Sequence, residues 1–397
     1  MQRSDDRILT THVGSLARSD ELLALIAKRE GGEKINESEF NELAFRDTVQ
    51  AVRKQANSGV DIGGNGEIPR VGFSIYAKDR LGGFSGHSNR GTVTDFAKFP
   101  DYAALVAKRA GVTAEDVSKS ATLWPSPQCV SAVSYNDGQV IQELDMFEKA
   151  LEEVNPDFRE TFITAVTPGI LSTSLFRDQK NPDYVTDEAY VYALAEELRK
   201  EYELIVSRGH VLQLDAPDLA LERQIMFLDR PIGEFMSRME LHVDALNRAL
   251  VNIPPEKVRL HLCWGNWEGP HIDDIDLEVL LPLLYKANVG GLSWASANPR
   301  HSHETELFRK YAPPKDYLLF PGCIDVTYHY LEHPEVVANR ILDVVSIVAD
   351  RERVVASTDC GFSTFAGYVM VANDVAWAKL EALSEGAKIA SEKLWGN

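Results

Sequence analysis

Residues 161–167 read TFITAVT, residues 186–209 read TDEAYVYALAEELRKEYELIVSRG, and residues 210–215 read HVLQLD. The two outer runs are short, apolar and β-branched, as strands are. Between them Tyr190, Leu194, Leu198, Tyr202 and Leu204 recur at helical spacing until Gly209 ends the element. Strand, helix and strand in succession make the unit of a parallel sheet. Further strands are predicted at about 7–13 (RILTTHV), 59–65 (GVDIGGN), 257–263, 290–296, 317–323 and 353–359, with helical patterns at 231–250 and 335–349. Eight such units fit a closed (β/α)8 TIM-like barrel better than an open sheet. The chain is therefore read as a single α/β barrel domain over 1–397, with a helical tail from about Asn373 to Trp395 packing back on it.

From Gly82 to about Pro127 the spacing between strands two and three is filled with glycine, serine and proline and shows little periodicity. This stretch, about 82–127, is read as an insertion at the barrel mouth. Hydrophobic residues are 44% of the 397 and charged residues 25%, which suits a folded globular chain and excludes collagen, coiled coil and disorder. Sixty acidic side chains against 41 basic ones give a net charge of −19, a field that repels nucleic acid and anionic lipid. The N-terminal stretch has no apolar leader and no run is long enough to span a bilayer, so a cytoplasmic location without membrane or nucleic-acid partners is expected. A homo-oligomer is compatible with all of this.

The chemistry concentrates at predicted strand ends. In VRLHLCWGN (258–266), His261 and Cys263 lie two apart on one strand and so point to one face. Cys360, in VVASTDCGF, ends the last predicted strand at the same rim. One imidazole and two thiolates favour zinc with an open coordination position. Such an ion keeps a substrate thiol deprotonated yet nucleophilic, which suits alkyl transfer to sulfur. The alternative is a core histidine beside two small buried thiols. That alternative is the better reading for Cys129 and Cys323, which lack nearby ligands. Thr11, His12, Gly14, Ser15, Gly66, Glu67, Asp215 and Asp325 also follow predicted strands, where they serve either as a site or as caps. ANPRHSHE adds Arg300, His301, His303 and Glu304, and WGNWEGPH (264–271) offers an aromatic lid wall.

The ordered set TTHVGSLAR, GNGEIPR, LQLDAPDLA, HLCWGN, ASANPRH and STDCGF covers nearly the whole chain. It resembles the catalytic domain of cobalamin-independent methionine synthases, and more closely the single-barrel members of that superfamily, which include the epoxyalkane:coenzyme M transferases. The resemblance implies a barrel enzyme in which Zn2+, held by His261, Cys263 and Cys360, activates a thiol for alkylation. It assigns homocysteine binding to Ser15, Glu67 and Asp215, with Gly14 as a backbone contact and His12 beside them. The implied substrates are a small-molecule thiol and an alkyl donor.

Three departures from the family pattern stand out. Ala295 occupies the position of a fourth ligand, usually glutamate, leaving water or a neighbour such as Glu304 to complete the shell. Thr327 stands where methionine synthases carry an acid histidine, with His329 two residues on as its replacement. The separate N-terminal barrel that helps bind polyglutamylated folate is not part of this sequence. Methyl transfer to homocysteine or a related thiol is the leading expectation. A thiol added to an epoxide, with Tyr328, His329 or His12 protonating the alkoxide and Arg18, Arg70 or Arg300 holding a sulfonate, is the second. A barrel that only binds a thiol or zinc is the third.

Overall fold

The computed structural model describes residues 1–88, 90–110, 113, 124 and 126–396. Eight parallel strands, β1 (Leu9–Thr10), β2 (Ile62–Gly64), β5 (Glu160–Val166), β6 (Val211–Asp215), β7 (Val258–Leu262), β8 (Gly291–Trp294), β9 (Leu318–Ile324) and β10 (Val355–Thr358), fall on the eight predicted runs. They pair in the order β1-β10-β9-β8-β7-β6-β5-β2, and a parallel bridge between Thr11 and Ile62 joins the two ends into a (β/α)8 barrel. The predicted helices are found at Asp187–Ser207, Ile232–Ala249 and Pro334–Val348, and the tail forms Asn373–Trp395. Gly386 lets that last helix approach Val337 so closely that an added Cβ would lie 2.5 Å from it. No helix among the described residues is long and apolar enough to cross a membrane.

Period-two alternation places the site. On β7, Val258, Leu260 and Leu262 face the outer helices, leaving Arg259, His261 and then Cys263 facing the barrel axis. Leu9, Ile62, Phe162, Val211, Leu318, Phe320 and Val355 form a separate apolar cluster in the interior. Arg259 lies above it, its guanidinium 3.9 Å from the Phe162 ring centre and 5.0 Å from that of Phe320. It donates to Gln213 Oε1, Thr11 Oγ1 and the His12 carbonyl, so one charge ties β6 and β7 to the end of β1.

The stretch expected to be aperiodic carries regular structure. β3 (Leu81–Ser85) and β4 (Gln128–Tyr135) pair as an antiparallel ribbon at its base, and Asp95–Lys98 and Pro100–Ala110 are helical. Gly82 and Gly83 hide the strand, since they have no side chains to alternate, and a Cβ on Gly83 (φ +98°) would sit 2.7 Å from the Ala132 carbonyl. Residues 89, 111, 112, 114–123 and 125 of the expected insertion lie outside the described residues.

Under the mouth, Glu143 accepts from Asn65 Nδ2 and Arg70 Nε and pairs with Arg80, which reaches Glu201 at 2.6 Å. Burial alone would raise the Glu143 carboxyl, but the charges of Arg70 and Arg80 outweigh it and hold the group at about 2. A carboxyl depressed from 4.5 binds its proton more readily in the unfolded chain, so its stabilisation is complete above about pH 4.5 and is lost as pH falls toward 2. Urea unfolding is expected to show that acid limb in the native protein. Glu143→Gln should flatten it and, by taking a carboxylate from the buried Arg70 and leaving Arg80 with Glu201 alone, lower stability at pH 7 by about 3 kcal/mol.

Candidate active site

His261 comes from the end of β7, Cys263 from the residue after it, and Cys360 from the turn after β10. Their donor atoms lie within 4.8 Å of one another. The two sulfurs are 3.7 Å apart, close to the separation of about 3.8 Å that two thiolates take around a tetrahedral ion with bonds near 2.3 Å. His261 Nδ1 is 3.1 Å from Ser293 Oγ, while its Nε2 is buried without a partner and so is left for an ion. The hydrogen bond between the two thiols holds Cys263 well below the usual thiol range against the cost of burial, and the same bond pushes Cys360 up. The Gly265 amide adds a hydrogen bond to Cys263 at 3.2 Å. These residues fit a metal ion with an open side.

That side faces a cavity of about 510 Å³. Ser15, Glu67 and Asp215 line it together with His261, Cys263 and Cys360. Thr164 Oγ1 donates to Glu67 Oε1, whereas Glu67 Oε2 is buried without a partner and so lacks a donor. Burial raises the Glu67 carboxyl although the Arg70 charge opposes it. Burial likewise pushes Asp215 up to about 7, with His261 opposing and Glu67 adding to the rise. Gly14, between these groups, has φ +138°, and a Cβ there would lie 2.6 Å from Thr164 Cγ2 and 2.9 Å from Glu67 Oε1. Ser15 abuts the Cys360 turn: its hydroxyl accepts from the Ser363 amide, and a Cβ on Gly361 would meet its oxygen at 2.0 Å.

Two residues expected at the site lie elsewhere. His12 is buried behind the cavity, with Nε2 on Gln55 Oε1 at 2.8 Å and Nδ1 accepting the Gly14 amide, and burial lowers it to about 4. It shapes the Gly14 turn and does not line the cavity. His329 is exposed and accepts the Ala372 amide before the last helix, because the chain after β9 turns outward beyond Thr327. Thr327, whose amide and hydroxyl both go to Asp325 Oδ1, lines a small recess beside the two site cysteines, as does Ala295. Glu304 is spent on the Leu277 amide and His301 and supplies no ligand. Burial holds the Cys129 and Cys323 thiols up at about 11 and 12, which fits structural roles.

The histidine pair splits, His301 buried and His303 exposed. His301 bridges Asp274 and Glu304, and those bonds lift it to about 9 against the effect of burial. It stacks on Trp264, as His271 does on Trp267, and His271 shares Asp274, so the aromatic stretch is braced from behind. Trp267 lines the cavity. Sequence reasoning missed Ser293, Thr164, Asn266 and Arg90. Ser293 was open to it, since β7 and β8 set His261 opposite Ser293 in register.

No protein-family model matches the chain. The chain is 25% identical over 389 residues to the methionine synthase of Saccharolobus solfataricus, covering 97% of this chain and 95% of that one. It is 24% identical over 388 residues to the methionine synthase of Thermococcus kodakarensis, at 97% and 94% coverage. Among solved structures, the B12-independent methionine synthase of Shewanella sp. W3-18-1 in complex with selenomethionine superimposes with a TM-score of 0.71 at 20% identity, over 98% of this chain and 100% of that one. The putative vitamin-B12 independent methionine synthase of Listeria monocytogenes does so with a TM-score of 0.63 at 18% identity, at the same coverage. These two share the fold.

Cys263→Ser is expected to reduce bound metal from about one ion per chain to near none by elemental analysis, since thiolate is the ligand lost. Gly14→Ala should cost about 1–3 kcal/mol in urea unfolding, from the backbone strain and the contact with Glu67.

Proposed function

Since the chain belongs to the cobalamin-independent methionine synthase family, we propose that it is a zinc-dependent methyltransferase acting on the thiol of homocysteine. The observation that carries this reading is the group His261, Cys263 and Cys360, with an unpartnered imidazole nitrogen, opening onto two buried carboxyls. Zinc on such ligands lowers the pKa of a substrate thiol so that it reacts as thiolate at neutral pH.

Every other role falls to the chain. Glu67 and Asp215 accept the substrate ammonium, which supplies the donor that Glu67 Oε2 lacks. The Ser15 hydroxyl takes the carboxylate. Ser293 holds the His261 ring so that Nε2 faces the metal. The sulfonate-thiol alternative finds little support, because Arg18 donates to the Ile68, Glu67 and Ser363 carbonyls, Arg70 to Thr164 and Glu143, and Arg300 to the His271 carbonyl.

Cobalt-substituted protein should show a thiolate charge-transfer band that changes with homocysteine and not with coenzyme M. Asp215→Asn should raise the homocysteine KM by about ten-fold or more, as expected when a buried charge pair is lost. An unchanged band and no methyl transfer to homocysteine from any donor would refute the assignment.

A further inference from the structure

We propose that the alkyl donor is a small methylated onium cation, a sulfonium or a quaternary ammonium, held against the aromatic wall of the cavity; this rests on the thiol-transfer reading above. The wall is made by Phe73, Phe96, Trp267, Phe365 and Tyr368. Phe73 and Phe365 meet edge to face, ring centres 5.5 Å apart, and Trp267 is fixed by its stack on His271 and by Nε1 donating to Asp95. A cavity lined by several aromatic rings is the kind of surface that binds an onium group through its diffuse positive charge.

Charge points the same way. The acidic lining groups are Glu67 and Asp215, and the lysine or arginine lining the cavity, among the described residues, is Arg90. Arg90 is already paired with the buried Glu222 at 2.5 Å and hydrogen-bonded to Thr173 and Ser174. Two cysteine thiolates balance a divalent ion, so the substrate thiolate is a further negative charge facing a wall with no uncommitted cation among the described residues. A polyanionic donor is repelled there, and a cation is not.

Leaving-group chemistry fits this wall. The thiol proton passes to solvent on binding, and the thiolate sulfur forms a bond to the methyl carbon as the carbon–onium bond breaks. The bonding pair leaves on the sulfide or amine, which departs neutral and needs no proton. The three candidate acids from the sequence, His12, Tyr328 and His329, do not line the cavity. His271 and His301 have both ring nitrogens engaged by protein acceptors.

Two measurements separate this inference from the reading it rests on. Calorimetry of the metal-free protein compares choline with its neutral isostere 3,3-dimethylbutan-1-ol; tighter binding of choline, weakened about ten-fold by Phe365→Leu, is expected. Equal affinity for the two, or none for choline, overturns the onium site whatever becomes of homocysteine. Zinc-loaded protein with homocysteine is then offered S-methylmethionine, glycine betaine and 5-methyltetrahydropteroyltriglutamate in separate arms. Transfer from the sulfonium or the betaine supports the proposal and says which onium is used, while transfer from the folate alone overturns it. If the cobalt band ignores homocysteine, the thiol-transfer reading falls first, and the choline comparison still decides whether the wall binds cations.

Discussion

The orientation of one hydroxyl proton decides how the Glu67 carboxyl meets the cavity. Arg70 donates to Thr164 Oγ1 and to the Thr164 carbonyl, so the hydroxyl proton of Thr164 is left to go to Glu67 Oε1. Arg70 is itself pinned by Glu143, which also takes Asn65, whose side-chain oxygen accepts the Glu67 amide. Glu67 sits at φ +55°, right after Gly66 at +70°. That backbone is strained for a glutamate, and it persists because the surrounding ion network specifies it. One oxygen of the carboxyl is thereby satisfied by protein and the other kept for a ligand.

The barrel supplies the second constraint. Along β7 the inward residues form a column: Arg259 closing the floor, His261 at the rim, Cys263 just beyond it. A slip of one residue would turn all three outward and bring leucines to the axis. The register is protected because Arg259 has hydrogen bonds to β6 and to the end of β1 that no neighbouring register can satisfy. The ligand pair thus inherits its placement from a charge deep in the fold. The tenth strand adds Cys360 through the Ser15 turn, which packs against Gly361 without room for a methyl group.

The parts legible in the sequence are those carried by period and spacing. All eight barrel strands and the His-x-Cys pair are of that kind, and so is the position of Cys360, because strand ends of a parallel barrel share one rim. The β3–β4 ribbon was hidden because its glycines erase the alternation that marks a strand. His12 and His329 were misplaced because sequence adjacency to a strand end does not say which way a loop turns. His12 has its ring drawn back by Gln55, and His329 is carried outward with the chain. Arg18, Arg70 and Arg300 likewise look available in sequence and are committed in space, since a buried guanidinium takes the carbonyls and carboxylates nearest to it. Ser293 needed only the pairing register of two adjacent strands.

The cavity wall has an uneven origin. Ligands and carboxyls stand on strand ends, but Thr92, Val93, Phe96 and Val106 all come from the single excursion between β3 and β4. That excursion leaves and rejoins the barrel through an antiparallel ribbon whose two ends lie side by side. One side of the chamber is thus a cassette with adjacent attachment points. Sequence change within it can redraw what the chamber admits while His261, Cys263 and Cys360 keep their coordinates, so one barrel can diversify by grafting.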